Sequence, residues 1–275
     1  MYTNTSDWLE LPDDVMSVIF TKLGALNILY RAQSVCSSWR SFSKQPHLYR
    51  SIDLSTYNIV IDMDYRGINV TKLVKEAVDR SCGQLVEFIG GNLFNYDDEH
   101  LHYVVDKSIA LKCLVLDLEK SRFDDGEVLT DVIRKAPFLE DFRLSFECWF
   151  PTELIEAVGQ LFPKLRCLQL IIWNSEVQKE DCWSEALIKL VKNVPSLEEL
   201  ELCYFEFPAE LIKELGLSCA QLKCLRLNNR NWGAARTKNR QIEYGIRARV
   251  GHQPQHRLRT YRDASLQNPT RALTQ

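Results

Sequence analysis

The sequence predicts an α/β chain. It has three short helices at the N-terminus, then a short solenoid of strand-and-helix units with a parallel sheet on its concave face, and a disordered basic C-terminal tail. Three observations carry this reading. Helix-start chemistry and four-residue apolar spacing mark the first fifty residues, a hydrophobic phrase then recurs every 25 to 32 residues, and the composition changes abruptly after Asn229. The boundaries fall at residues 7–54 for the helical module, 55–81 for a connecting segment and the first repeat helix, 82–229 for the repeats and 230–275 for the tail.

The first helix opens at Leu11-Pro12. Proline suits the first helical position because its missing N–H would lack an intrahelical partner there, and Asp13 and Asp14 follow in the first turn, where the helix dipole favours negative charge. Val15, Ile19 and Leu23 recur every four residues and therefore share a face. Val35-Cys36-Ser37-Ser38-Trp39-Arg40 and then Leu48-Tyr49 complete the segment. A module of roughly 40 residues is too small to bury a self-sufficient core, so Trp39 and its apolar neighbours are expected to be completed by a partner or by the rest of the chain.

These residues resemble an F-box, in which Leu-Pro opens the first of three helices and a Val-Cys-x-x-Trp-Arg run marks the third. The resemblance implies docking on the Skp adaptor of a cullin-based ubiquitin ligase, with no catalysis by the chain itself. The positions matching the family's adaptor-contact motif are Leu11, Pro12, Val15, Ile19, Leu23, Val35, Cys36 and Trp39. Cys36 and Leu23 are candidates for internal packing instead.

The repeats begin weakly at Leu85-Val86-Glu87-Phe88-Ile89-Gly90. Five clearer L-x-x-L-x-L phrases start at Leu111, Leu139, Leu165, Leu197 and Leu222, with one Phe substitution at Phe142, and successive spacings are 26, 28, 26, 32 and 25 residues. That period is characteristic of leucine-rich repeats. Between the phrases lie apolar stripes at helical spacing: Val70, Leu73, Val74, Ala77 and Val78; Val128, Leu129, Val132 and Ile133; Leu154, Ile155, Val158, Leu161 and Phe162. Leu187, Ile188 and Val191, then Leu211, Ile212 and Leu215, continue the series. Pro151 and Pro208 are placed to open helices, and Asp97-Asp98 and Asp124-Asp125 stand where a first-turn acid is useful. The repeats resemble the cysteine-containing subtype common in plant F-box proteins, so the combined likeness runs from about residue 7 to 229; its irregular point is an insertion around Asn174 to Asp181.

Stacked repeats present a parallel sheet on the concave side, and strand alternation turns the residues flanking the inward leucines outward. The substrate-facing candidates are Asp117, Arg143, Gln169, Glu201 and Arg226, with the loop around Trp173 and Trp183. Cys113, Cys167 and Cys224 share one outward position in three repeats that are not consecutive. Zinc requires four donors in tetrahedral reach, usually with paired spacings such as C-x-x-C, so no metal site is expected. Cys36, Cys82 and Cys219 are expected as small buried hydrophobes. His252 and His256 flank Pro254, and His100 and His102 point apart on a helix. No phosphate-cradling glycine loop, H-E-x-x-H or G-x-S-x-G is present, so neither an enzyme nor a cofactor is expected.

Composition points the same way. The sequence shows no signal-peptide pattern and no apolar run near 18 residues, and its nine cysteines are an odd number, which together lead to an expected cytosolic or nuclear protein with reduced thiols. Residues 230–275 hold ten Lys or Arg against two acids, giving the tail +8 and the rest −11. The tail is expected to lack structure apart from a short helix around Arg240 to Arg249, and to fold back on the acidic body. The abrupt shift after the last phrase, without a capping element, is also what a truncated, alternatively spliced or frame-changed end would produce.

The leading reading is therefore a substrate receptor of an Skp-cullin-F-box ubiquitin ligase. The alternatives are an adaptor-binding scaffold with no role in ubiquitination, and a nucleic-acid binder acting through its basic tail.

Overall fold

The computed structural model describes residues 11–55, 69–90, 98–118, 126–146, 152–172, 182–203, 209–228 and 245–248. Helix α1 spans Asp13–Leu23, and Pro12 stands one position ahead of it as the N-cap, where it accepts the first intrahelical bond from Met16 N–H at 3.0 Å. Gly24 ends α1 at φ 77°, a conformation that costs glycine no Cβ clash. Beyond it the chain bends by 104° into α2 (Ala25–Tyr30) and a 3-10 turn at Ala32–Ser34. Helix α3 (Ser37–Phe42) and a second 3-10 turn at Pro46–Tyr49 complete the module.

The module's core forms around Phe20, which is fully buried and meets Phe42 and Trp39 edge to face, with ring centroids at 5.1 and 5.3 Å. Met16, Leu26, Ile28, Leu29 and Leu48 pack with it. Met16 and Phe20 are thus the core face of α1. Val15 and Leu23 are turned outward, and Ile19 between them is half-buried against the core.

The sheet starts earlier than the repeat phrases. Strand β1 (Ser51–Asp53) directly follows the second 3-10 turn and pairs in parallel with β2 (Glu87–Ile89). Then come β3 (Cys113–Leu118), β4 (Asp141–Phe146), β5 (Cys167–Ile172), β6 (Glu199–Cys203) and β7 (Cys224–Asn228), each parallel to its predecessor. Between strands run α4 (Val70–Arg80), α5 (Asp98–Asp106), α6 (Gly126–Arg134), α7 (Thr152–Leu161), α8 (Cys182–Asn193) and α9 (Ala209–Ser218). Their apolar stripes lie against the sheet as the periodicity predicts; Val74, Ala77, Leu129, Val132, Ile155, Val158, Leu187 and Leu211 are buried. No single helix among the described residues is long and apolar enough to cross a membrane.

Register converts the repeated phrase into rows. Ile52, Phe88, Leu114, Phe142, Leu168, Leu200 and Leu225 face one another strand to strand and are all buried, and so are Leu116, Leu144, Leu170, Leu202 and Leu227. Burying these rows against the helices drives the stacking, since no one repeat can cover its own apolar faces. At the entry to the strands a rim of alternating charge joins neighbours: Lys112 bonds Glu140 at 2.7 Å, while Glu198 takes Arg166 at 2.7 Å and Lys223 at 2.5 Å.

Four expectations need correction or placement. A strand, β8 (Gly245–Ala248), stands where a short helix around Arg240 to Arg249 is expected; it pairs antiparallel with β7 and covers that edge. Of the cysteines expected to be buried, only Cys219 is; Cys82 is exposed at φ 49°, and half-buried Cys36 uses its sulfur to cap α3. The helix-start residues Asp97, Asp124, Asp125, Pro151 and Pro208 lie outside the described residues, as do Trp173, the insertion after it and the rest of the tail. Trp183 falls within α8, without a described side chain.

Candidate functional site

Two surfaces carry the candidate residues. The first is on the N-terminal helices. Pro12, Val15, Leu23 and Val35 are exposed, with Val15 at 40 %, Leu23 at 37 % and Val35 at 63 %. Leu11, Ile19 and Trp39 are half-buried against the core, and Cys36 accepts the Trp39 backbone N–H at 3.4 Å. The eight positions therefore divide into exposed apolar groups and groups that shape the scaffold beneath them. Val18, 56 % exposed and three residues after Val15, belongs with the exposed group; its helical spacing from Val15 is the signal that would have found it. A cluster of outward valines on one short helix is unusual for a surface with no partner.

This surface is rigidly tied to the sheet. Arg80, the last residue of α4, donates to the Tyr49 hydroxyl at 3.1 Å, to the Gln33 side-chain carbonyl at 3.1 Å and to Glu76 at 2.8 Å. Tyr49, fully buried, donates in turn to the Ser43 carbonyl at 2.6 Å. With β1 leading straight into the sheet, the helical module and the repeats share one continuous core.

The second surface is the concave sheet face. Arg143, Gln169, Glu201 and Arg226 occupy one row on four successive strands, β4 to β7. Asp117 lies outside that row, farther along its strand β3, in register with Ser145. Arg143 forks onto Asp141 with bonds of 2.9 and 2.7 Å, and Arg226 bonds Glu201 at 3.1 Å. Arg143, Gln169, Glu201 and Arg226, together with Cys167 and Glu199, line a shallow depression of about 210 Å³. Asp53, Glu87 and Ile89 extend the face onto β1 and β2.

Two thiols of this face, Cys113 and Cys167, are chemically quiet. Burial, and next the Asp141 carboxylate, push the Cys113 and Cys167 thiols up to about 12, so neither supplies a thiolate near neutral pH. Among the described residues no group of three or more His, Cys, Asp or Glu side chains is placed to hold a metal ion.

Comparison with known proteins matches residues 8–55 to the F-box-like family. The chain is 37% identical over 199 residues to the F-box protein SKIP19 of Arabidopsis thaliana, covering 72% of this chain and 61% of that protein. It is 30% identical over 197 residues to putative F-box/LRR-repeat protein 23 of the same plant, covering 71% and 42%. Putative F-box/LRR-repeat protein 9, also from Arabidopsis thaliana, is 29% identical over 227 residues, covering 81% and 85%.

The chain resembles plant F-box/leucine-rich-repeat proteins.

The chain spans about three fifths of the first of these relatives and about two fifths of the second. Among solved structures, a leucine-rich repeat-containing protein of Legionella pneumophila, LegL7, aligns at 19% identity with a TM-score of 0.38, covering 65% of this chain and 56% of that one, a likeness too distant to carry an argument. The segment matched to the F-box-like family contains every exposed valine of the first surface, and the row of concave candidates lies wholly in the repeats.

Proposed function

We propose that this chain is a substrate-receptor subunit of an Skp-cullin-F-box ubiquitin ligase, binding the Skp-type adaptor through its F-box and a protein substrate through the concave face. It contributes no reacting group; ubiquitin transfer falls to other subunits. The observation that carries the reading is the set of outward apolar groups on α1 and ahead of α3, namely Val15, Val18, Leu23 and Val35, held over a core built from Phe20, Phe42 and Trp39. Covering such groups with a partner removes apolar area from water, the main favourable term in association. The rigid junction at Arg80 supports the second half of the reading, because a receptor must hold its cargo at a fixed place relative to the adaptor.

Affinity purification of the full chain followed by mass spectrometry tests this. An Skp-type adaptor and cullin are expected in the eluate, together with a protein whose abundance rises when the chain is depleted. Recovery of adaptor with no protein stabilised on depletion would reduce the role to a scaffold, and failure to recover the adaptor would reject the reading.

A further inference from the structure

The depression on the concave face is centred on a small side chain between larger ones. Cys167 on β5 stands in register with Asp141 on β4 and Glu199 on β6. Leu168 and Leu200 also line the hollow although both are buried, so its floor reaches toward the sheet itself. At about 210 Å³ it is smaller than the ~300–1,000 Å³ of sites that enclose a whole small molecule, and it suits a single side chain.

Most polar groups around this hollow already satisfy one another. Arg143 forks onto Asp141, Asp141 also bonds the Cys167 thiol, and Arg226 bonds Glu201. Arg247 stands opposite Arg226 in register on β8, at the far end of the row that Arg143, Gln169 and Glu201 share. Formal charge therefore balances, with Asp141, Glu199 and Glu201 against Arg143, Arg226 and Arg247, and net charge names no ligand. The choice falls to the groups left over. Glu199 is exposed and Gln169 is half-buried, and neither makes a hydrogen bond or ion pair with another described residue. They sit on adjacent strands two positions apart, a diagonal of about 8 Å at ordinary strand spacings, which the stem of a lysine or arginine spans.

A carboxylate without a partner takes a cation, and the Gln169 amide offers a donor and an acceptor side by side, as a main-chain peptide group requires. The field over the floor agrees in sign. Burial and then the Asp141 carboxylate hold the Cys167 thiol protonated, with Glu199 adding to them and Arg143 opposing. We propose that the depression seats one basic side chain, lysine or arginine, of an extended substrate segment, with its cationic head on the Glu199 carboxylate over Cys167 and the adjoining main-chain amide paired with the Gln169 side chain. This names a substrate class for the receptor reading above and rests on it. The seat itself needs no adaptor.

Titration of N-acetyl-arginine N-methylamide into the isotope-labelled full chain, followed by amide NMR, tests it. The Gln169 side-chain amide and the backbone amides of Cys167 and Glu199 should shift together. The uncharged citrulline analogue should bind roughly ten-fold more weakly, the worth of one hydrogen-bonded charge. Glu199→Gln should weaken the arginine probe by about as much, with the exposed position leaving the dispersed spectrum of the folded chain intact. Equal binding of the arginine and citrulline probes would overturn the proposal, and so would undiminished affinity in the folded variant. Preferential binding of N-acetyl-glutamate N-methylamide would overturn it too, by putting an acidic side chain on the arginines instead. The probe comparison in the unaltered chain decides the matter even if the variant does not fold. Adaptor recovered together with a stabilised protein while the arginine probe is ignored removes only the substrate class, whereas probe binding with no adaptor recovered removes only the receptor role.

Discussion

The Arg80 guanidinium stands 3.1 Å from the Tyr49 hydroxyl and so fastens the first long helix of the repeats to the last turn of the F-box module. The same side chain serves Gln33 and Glu76, which a planar fork of donors can do and a single ammonium cannot. Arg80→Ala is predicted to cost about 1–3 kcal/mol in urea denaturation, the range for leaving buried polar partners unsatisfied. Arg80→Lys should recover little of it. Hydrogen exchange in α2 and α4 should rise in both variants.

Two glycines predict substitutions of opposite sign. A Cβ on Gly159 of α7 would stand 2.9 Å from the Leu190 backbone of α8, where only the main chain could give way. Gly159→Ala is therefore expected to destabilise by about 1–3 kcal/mol through overpacking. At Gly216 of α9 nothing lies within 4 Å, so Gly216→Ala should be neutral or stabilise by up to about 1 kcal/mol through helix propensity. Thermal unfolding of the pair checks both.

The rim of alternating charge gives a pH signature. Hydrogen bonds from Arg166 and then Lys223 hold the Glu198 carboxyl down at about 2 instead of the ordinary 4.5. A depressed folded value means the carboxylate's contribution is fully present above the unfolded pKa and is lost as pH falls through the folded one. Glu198→Gln should therefore flatten part of the stability loss between pH 4.5 and 2. Unfolding midpoints measured across that window, with and without the substitution, decide it; parallel curves would show that Glu198 is not the group responsible.

Thiol reactivity should sort by exposure and environment. Cys82 is exposed, whereas burial and Asp141 keep Cys113 and Cys167 protonated at neutral pH. Iodoacetamide at about pH 8 should label Cys82 well before either of the other two, because the thiolate is the reacting form. Peptide mapping over a time course reads the order.

The repeats are legible in the sequence because leucines at a spacing of two residues, as at Leu114 and Leu116, admit only one face toward the helices. Strand β1 is not, although Tyr49-x-x-Ile52-x-Leu54 is the same phrase in degenerate form and all three residues are buried. A tyrosine replaces its first leucine, and it sits 36 residues ahead of the next copy inside a helical module. On α1 two apolar stripes compete, Met16 with Phe20 and Val15 with Ile19 and Leu23. Periodicity alone cannot say which meets the core; the answer comes from Phe42 and Trp39, brought in by the bend at Gly24. The Arg80 junction is invisible for a similar reason, since its partners at Gln33, Ser43 and Tyr49 lie 31 to 47 residues away.

Trp39 stands in the motif as an anchor, yet its edge contact with Phe20 makes it a poor probe of docking, because Trp39→Ala would also loosen the module. Exposed Val15 and Val35 separate binding from folding. The most direct measurement is calorimetric titration of a purified Skp-type adaptor into the full chain and into its Val15→Glu and Val35→Glu variants, with unfolding midpoints recorded alongside. The account predicts unchanged midpoints and an affinity lower by about 2 kcal/mol or more, roughly thirty-fold, for at least Val15→Glu. Undiminished affinity in both folded variants would contradict it.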